Sequence, residues 1–236
     1  MRMRAVGAAF LGIAAGLWPC PPAAAAADRP QTRVDCAQAK CVALTFDDGP
    51  VPGTARLLGL LRRSGARATF FVVGVRARAH PGLVARARAE GHEIGDHTEH
   101  HPRLTALPSA RVHRELATTR RTITRLTGTR PTLFRPPYGA TDRRVAAQAR
   151  RLGLAQVLWD VDTLDWRHRD PSAIARRAVN GLRPGAIILM HDSRPTTVSA
   201  VPRILRAAKA KGYTFVTVTE LLGPTVPGRT YVHARR

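Results

Sequence analysis

Cys41-Val42-Ala43-Leu44-Thr45-Phe46-Asp47-Asp48-Gly49-Pro50 passes from an apolar run to two adjacent carboxylates and then to two chain-breaking residues. The run has strand character, and Gly49 with Pro50 ends it in a loop. Side chains alternate between faces along a strand, so the chain must bend after Asp47 if both carboxylates are to serve one site. Like charges this close need partners. A metal would divide the labour, with one carboxylate as ligand and the other free as a base. A solvated strand-end turn is the simpler reading of Asp-Gly-Pro chemistry, and the rest of the chain decides between the two.

Outward from this stretch, strand-like and helix-like segments alternate with short connections. Strands are predicted at Val42–Phe46, Thr69–Val73, His92–Gly95, Leu133–Phe134, Ala155–Trp159, Ala186–Met190 and Phe215–Val218. Between them, helices are predicted at Thr54–Arg63, from Pro81 to Gly91, from a Ser109 cap to about Leu126 with Gly128 closing it, from Asp142 to Leu152, and at Pro171–Val179 and Val201–Ala210. About seven strands, each followed by a helix, imply an α/β fold with a parallel sheet covered on both faces. At 236 residues a distorted, incomplete (β/α) barrel fits this better than an open doubly wound sheet, which is the alternative.

Residues with chemical potential fall at the strand ends. Asp47 and Asp48 follow the first strand, His97 and His101 the third, Arg135 the fourth, Asp165 and Trp166 the fifth, and His191 the sixth. In a (β/α) barrel these ends form one face, where catalysis is found. His97-Thr98-Glu99-His100-His101-Pro102 offers imidazole pairs at spacing three or four, and either spacing puts both rings on one helical face. With Asp48 such a pair gives two imidazoles and one carboxylate, a set that suits hydrolytic zinc and also serves iron oxygenases. Arg135 has no acidic sequence neighbour, and at this face it would hold the free carboxylate of Asp47. Pro136-Pro137-Tyr138-Gly139 fixes a loop that turns a backbone N–H inward. His191 ends a buried strand, where Asp165 would satisfy and orient its ring.

Thr45–Pro50, His97–His101, Arg135–Gly139, Asp162–Trp166 and Leu189–His191 stand in the order of the motifs of the polysaccharide deacetylases, family-four carbohydrate esterases with a NodB homology domain. The chain resembles that family from about Val42 to Leu221. The resemblance implies Asp47 as catalytic base and Asp48, His97 and His101 as metal ligands, with His101 preferred over His100. It implies Arg135 orienting the base, the Tyr138 backbone N–H in the oxyanion hole, Asp165 tuning His191 as general acid, and Trp166 and Leu189 walling an acetyl pocket. The implied reaction is metal-assisted hydrolysis of N-acetyl groups on GlcNAc-containing polymers of peptidoglycan or chitin type, with zinc as the metal and cobalt as a substitute. Two rivals share the pattern, an O-deacetylase such as an acetyl xylan esterase and a non-catalytic wall-binding module. Departures from the family are small: Asp96 stands where asparagine is common, Glu99-His100 replaces an aromatic-serine pair, and His100 is placed to compete for the metal.

Arg2 and Arg4, an apolar stretch from Ala5 to Trp18 and the small residues Ala23–Ala27 read as a signal peptide over 1–26 and a secreted product, with an uncleaved anchor as the alternative. The remaining divisions are an arm at 27–40, the deacetylase-like domain at 41–223 and a tail at 224–236. Export makes Cys36 and Cys41 a disulfide pair pinning the arm to the first strand. Lysine and arginine total 38 against 16 acids, a net charge of +22. The arginines are scattered and no recognition helix or aromatic-basic motif accompanies them, so nucleic acid is not the expected partner. A basic surface suits an acidic polymer such as a bacterial wall, and a monomer is expected.

Overall fold

A computed structural model describes residues 34–234. The expected signal peptide and the first part of the arm lie outside the described residues. The chain runs β1 (Lys40–Asp47), α1 (Thr54–Arg63), β2 (Thr69–Val72), α2 (Gly74–Ala79), α3 (Pro81–Ala89), β3 (Glu93–Asp96), α4 (Ser109–Thr127), β4 (Leu133–Phe134) and α5 (Arg143–Arg151). It continues through β5 (Ala155–Val157), β6 (Val161–Asp162), α6 (Pro171–Asn180), β7 (Ile187–His191), α7 (Pro195–Ala210), β8 (Tyr213–Phe215), α8 (Val218–Leu222) and β9 (Thr230–Tyr231).

All strand pairs are parallel, in the order β6-β7-β1-β2-β3-β4-β5-β9, with β8 on the opening residues of β1. β6 and β9 end the path without pairing each other, so the sheet curls into a barrel that does not close. Among the described residues, nine strands replace the seven expected. The two additions, β6 (Val161–Asp162) and β9 (Thr230–Tyr231), have two residues each and, unlike the equally short but wholly apolar β4, mix apolar with polar residues, so nothing in sequence marks them as strands. β9 lies within the expected tail, yet Gln156 and Val157 pair with Thr230 and Tyr231, so these two tail residues complete the edge of the sheet.

β1 shows why this sheet needs two cores. Val42, Leu44 and Phe46 pack outward with Leu57, Leu58 and Leu61 of α1 and Ile204 and Leu205 of α7. Cys41 and Ala43 face inward with Phe71, Leu133, Val157 and Ile187. Each buried leucine contributes about 2 kcal/mol of apolar transfer, and truncating one to alanine costs ~2–5 kcal/mol. By the same alternation Thr45 and Asp47 point into the curl. The odd-numbered side of β1 therefore delivers the first carboxylate to the interior.

Other differences from expectation are local. Ser109 begins α4 instead of capping it, because Pro108 occupies the cap. α7 starts at Pro195, whose fixed φ suits a first turn, and it runs through Pro202. The last expected strand shifts to Tyr213–Phe215 because Thr217 and Glu220 form a capping box that opens α8. Cys36 and Cys41 are joined by a disulfide, tying residues before the sheet to β1.

Candidate active site

Asp47 is the last residue of β1 and is buried, and Asp48 follows with φ +73°. That left-handed residue supplies the bend that two adjacent carboxylates need, at a position where aspartate is tolerated better than most side chains. Of the five non-glycine residues with positive φ among the described residues, Asp48, Thr98, His101 and Tyr138 sit on the loops after β1, β3 and β4, and Leu164 precedes Asp165. Strain of this kind collects where geometry serves a function.

The histidine loop is not helical, contrary to the spacing argument. It leaves β3 through two local hydrogen bonds, Thr98 N to Asp96 Oδ1 at 2.8 Å and His101 N to Thr98 Oγ1 at 3.0 Å. With Thr98 and His101 both left-handed, the His97 and His101 rings meet edge-on with centroids 4.8 Å apart. His97 Nδ1 donates to the Arg135 carbonyl at 2.7 Å, which leaves Nε2 as the free lone pair. Asp48 Oδ1 lies 3.6 Å from His97 Nε2 and 3.3 Å from His101 Nε2. One donor atom from each of Asp48, His97 and His101 falls within 4.8 Å of the others. A carboxylate oxygen and two imidazole nitrogens converging in this way fit a divalent metal. His100 is elsewhere: its Nδ1 is 3.0 Å from Glu115 Oε1 and its backbone N–H donates to Glu115 as well. The neighbouring Glu99 is buried against Thr119 and paired with Arg78, while Gly74 leaves the space its carboxyl fills. The unusual Glu99-His100 pair thus braces the loop against α2 and α4.

Arg135 is fully buried. Its Nη1 donates to Asp47 Oδ1 at 2.8 Å and to Thr45 Oγ1 at 2.7 Å, and its Nε and Nη2 donate to the carbonyls of Val157 and Leu158. The guanidinium also stacks 4.3 Å above the Phe71 ring. Burial draws its pKa down, and Asp47 opposes that. For Asp48, burial works to raise the pKa, but His97, His191, His101 and Arg76 together hold it below the ordinary carboxylate value. Burial and His97 lower that of His101, against the pull of Asp48 and Asp47. An imidazole kept neutral beside an ionised carboxylate is in the protonation state a metal requires.

Across the cleft, β7 ends in His191. Its Nδ1 donates to Asp165 Oδ1 at 2.7 Å, and Asp165 Oδ2 accepts the His191 backbone N–H and the Thr197 hydroxyl. Burial would lower the His191 pKa, but the Asp165 hydrogen bond and charge, reinforced by Asp47 and Asp48, raise it to about 9. One open cleft of about 510 Å³ takes in Asp47, Asp48, His97, His101, Tyr138, Trp166, Leu189 and His191. Tyr138 and Trp166 are exposed at its mouth, and Leu189 is buried in its wall. Sequence reading missed Trp159 and Arg194, which also line it, because Trp159 reads only as a strand end and Arg194 lies between the strand expected to end at Met190 and the helix expected from Val201.

Residues 35–157 match the family described as Polysaccharide deacetylase. The peptidoglycan-N-acetylglucosamine deacetylase PgdA of Listeria monocytogenes is 41% identical over 185 residues, covering 78% of this chain and 39% of that protein. A peptidoglycan-N-acetylglucosamine deacetylase of Bacillus cereus is 38% identical over 189 residues, 78% of this chain and 88% of its own. Among solved structures, one described as T48 deacetylase with substrate superposes with a TM-score of 0.81 at 42% identity, over 84% of this chain and 99% of that one. This chain therefore spans well under half of the Listeria relative.

Proposed function

Because the chain belongs to the polysaccharide deacetylase family, we propose that it is a secreted, metal-dependent hydrolase removing N-acetyl groups from GlcNAc residues of a cell-wall polymer. The observation that carries this reading is the Asp48/His97/His101 cluster beside an arginine-held Asp47 and opposite an Asp165-held His191, these five side chains lining one cleft. Zinc, or cobalt in its place, held by Asp48, His97 and His101 would polarise the acetamide carbonyl and acidify a water.

The remaining steps belong to this chain's own side chains. Asp47, pinned through Oδ1 by Arg135, takes the proton of the attacking water with its other oxygen. As the new C–O bond forms, the backbone N–H of Tyr138 donates to the oxyanion. His191 gives its proton to the sugar nitrogen as the C–N bond breaks, and acetate and a free amine leave. Asp165 keeps the ring oriented and protonated for that step. Trp166 and Leu189 enclose the acetyl methyl.

Residues 1–26 act as the export signal, the catalytic domain runs from the Cys36–Cys41 bridge through β9, and the product is a monomer whose basic surface faces the acidic wall. No helix among the described residues is long and apolar enough to cross a membrane. Acetate release from peptidoglycan, chitin oligomers and acetylated xylan, measured side by side before and after chelation, tests the reading. Metal-restored release from peptidoglycan above the other two is expected, and release from xylan alone would replace N- by O-deacetylation.

A further inference from the structure

Asp192 follows His191 directly, and no step above uses it. Its carboxyl is buried; Oδ2 accepts the Thr54 hydroxyl at 2.5 Å, and Oδ1 has no hydrogen-bond partner among the described residues. Thr54 Oγ1 in turn accepts the Val51 N–H at 2.9 Å. The carboxyl also stands against Gly49: a Cβ there would lie 2.0 Å from Asp192 Oδ2 and 2.4 Å from Oδ1. Glycine is required at 49 for space, and the occupant of that space is Asp192. On its far side the Gly49 carbonyl accepts the Val73 N–H at 3.0 Å. The loop that carries Asp48, whose carbonyl also accepts from Arg76 Nη1 at 2.5 Å, is thus held between Val73 after β2 and this carboxyl.

We propose that Asp192 is a positioning residue for the metal-ligand loop, its carboxyl setting where Gly49, and with it Asp48, lies relative to His97 and His101. The contact joins the strand end that bears His191 to the loop that bears Asp48, so the two halves of the cleft keep one spacing. The competing explanation is purely structural. α1 has no acidic residue in its first turn, and a carboxylate near a helix N-terminus stabilises it. That role would show in melting temperature and leave metal affinity alone.

The inference rests on the metal-site reading and is tested on the purified full chain by zinc affinity, from competition with a chromophoric chelator, with a melting curve for each variant. Asp192→Ala is expected to weaken zinc binding about tenfold to a hundredfold, the range for groups that orient ligands. Asp192→Asn, with the same shape and an oxygen for Thr54, is expected to stay within about threefold of wild type. Gly49→Ala should weaken zinc at least about tenfold on its own and cost almost nothing further in the Asp192→Ala background, because the obstruction is gone. Equal Gly49→Ala losses in both backgrounds, or wild-type affinity in Asp192→Ala, overturns the proposal. Should Asp192→Ala not fold, Thr54→Val decides: a several-fold loss of zinc affinity supports it and none overturns it. Wild-type protein that takes up no zinc removes the metal site and this inference together, and is distinct from a zinc-binding wild type with an indifferent Asp192→Ala.

Discussion

The two sides of the cleft are built differently. On one, Asp48, His97, His101 and Tyr138 sit on loops, three of them with left-handed backbone, gathered by the side chains of Asp96 and Thr98 and the carbonyl of Arg135. On the other, His191 is the end of a regular buried strand and needs only Asp165 and Thr197 beside it. Convergence of several ligands on one point demands backbone that a strand cannot offer. Tuning one imidazole demands only a neighbouring carboxylate. Substitutions on the loop side should therefore change what is bound, and those on the strand side the pH and substrate at which the site works.

The largest contrast is expected on the loop side. His101→Ala should weaken zinc binding on the order of a hundredfold or more and abolish acetate release, whereas His100→Ala, which loses only a partner of Glu115, should bind zinc as wild type does. Dialysis against a chelator series measures both. The reverse ranking would move the ligand from His101 to His100 and dissolve the loop geometry described above.

On the strand side, His191→Ala should keep its zinc and lose about a hundredfold or more on an N-acetylated sugar, whose amine leaves only when protonated. On an activated acetate ester the loss should be much smaller. Equal losses on both substrates would take the general-acid role from His191.

Asp165→Asn should act more gently, through pH. Against the burial that would lower it, Asp165 raises the His191 pKa toward about 9, and activity should fall as pH rises through the value the loaded enzyme sets. A bound dication neutralises Asp48 and draws that limb below 9. Removing the Asp165 charge should move it lower again, by about one unit or more. The sign for stability is the same. A group whose pKa is raised on folding stabilises fully below its unfolded value near 6.5 and loses that contribution as pH climbs to about 9. Asp165→Asn should thus flatten the stability profile between these values. An unchanged alkaline limb would assign it to another group.

The smallest effect on catalysis lies far from either side. Cys36→Ser with Cys41→Ser should lower stability by about 2 kcal/mol, the entropy of a short loop, and leave the pH profile and zinc affinity unchanged. Thiol labelling of the mature protein should find neither cysteine free without reductant.

Much of the architecture was legible because β1, β2 and β7 are predominantly apolar, and Gly and Pro punctuate the segments between. β6 and β9 were not, since Val161–Asp162 and Thr230–Tyr231 carry neither a period nor an apolar run. The Asp47–Asp48 bend could be anticipated because alternation along a strand separates neighbours, and Asp48 at φ +73° supplies it. The histidine loop misled because spacing of three or four has a helical meaning, and only the Thr98 and Asp96 bonds reveal the other way to close it. Arg135 resembled many surface arginines in sequence, yet its burial beneath Val157 and Leu158 carbonyls is a tertiary fact. Asp192 escaped notice for the same reason, because its partners Thr54 and Gly49 are distant in the chain.

Asp47 and Asp48 adjoin in sequence and are assigned opposite duties, so substituting each by asparagine and measuring zinc content and acetate release on the same samples tests the account most directly. Asp47→Asn should retain full zinc and lose at least about a hundredfold in turnover, the scale of a positioned base. Asp48→Asn should lose the zinc along with the activity. Zinc lost from Asp47→Asn and kept by Asp48→Asn would contradict the division of labour on which the whole reading depends.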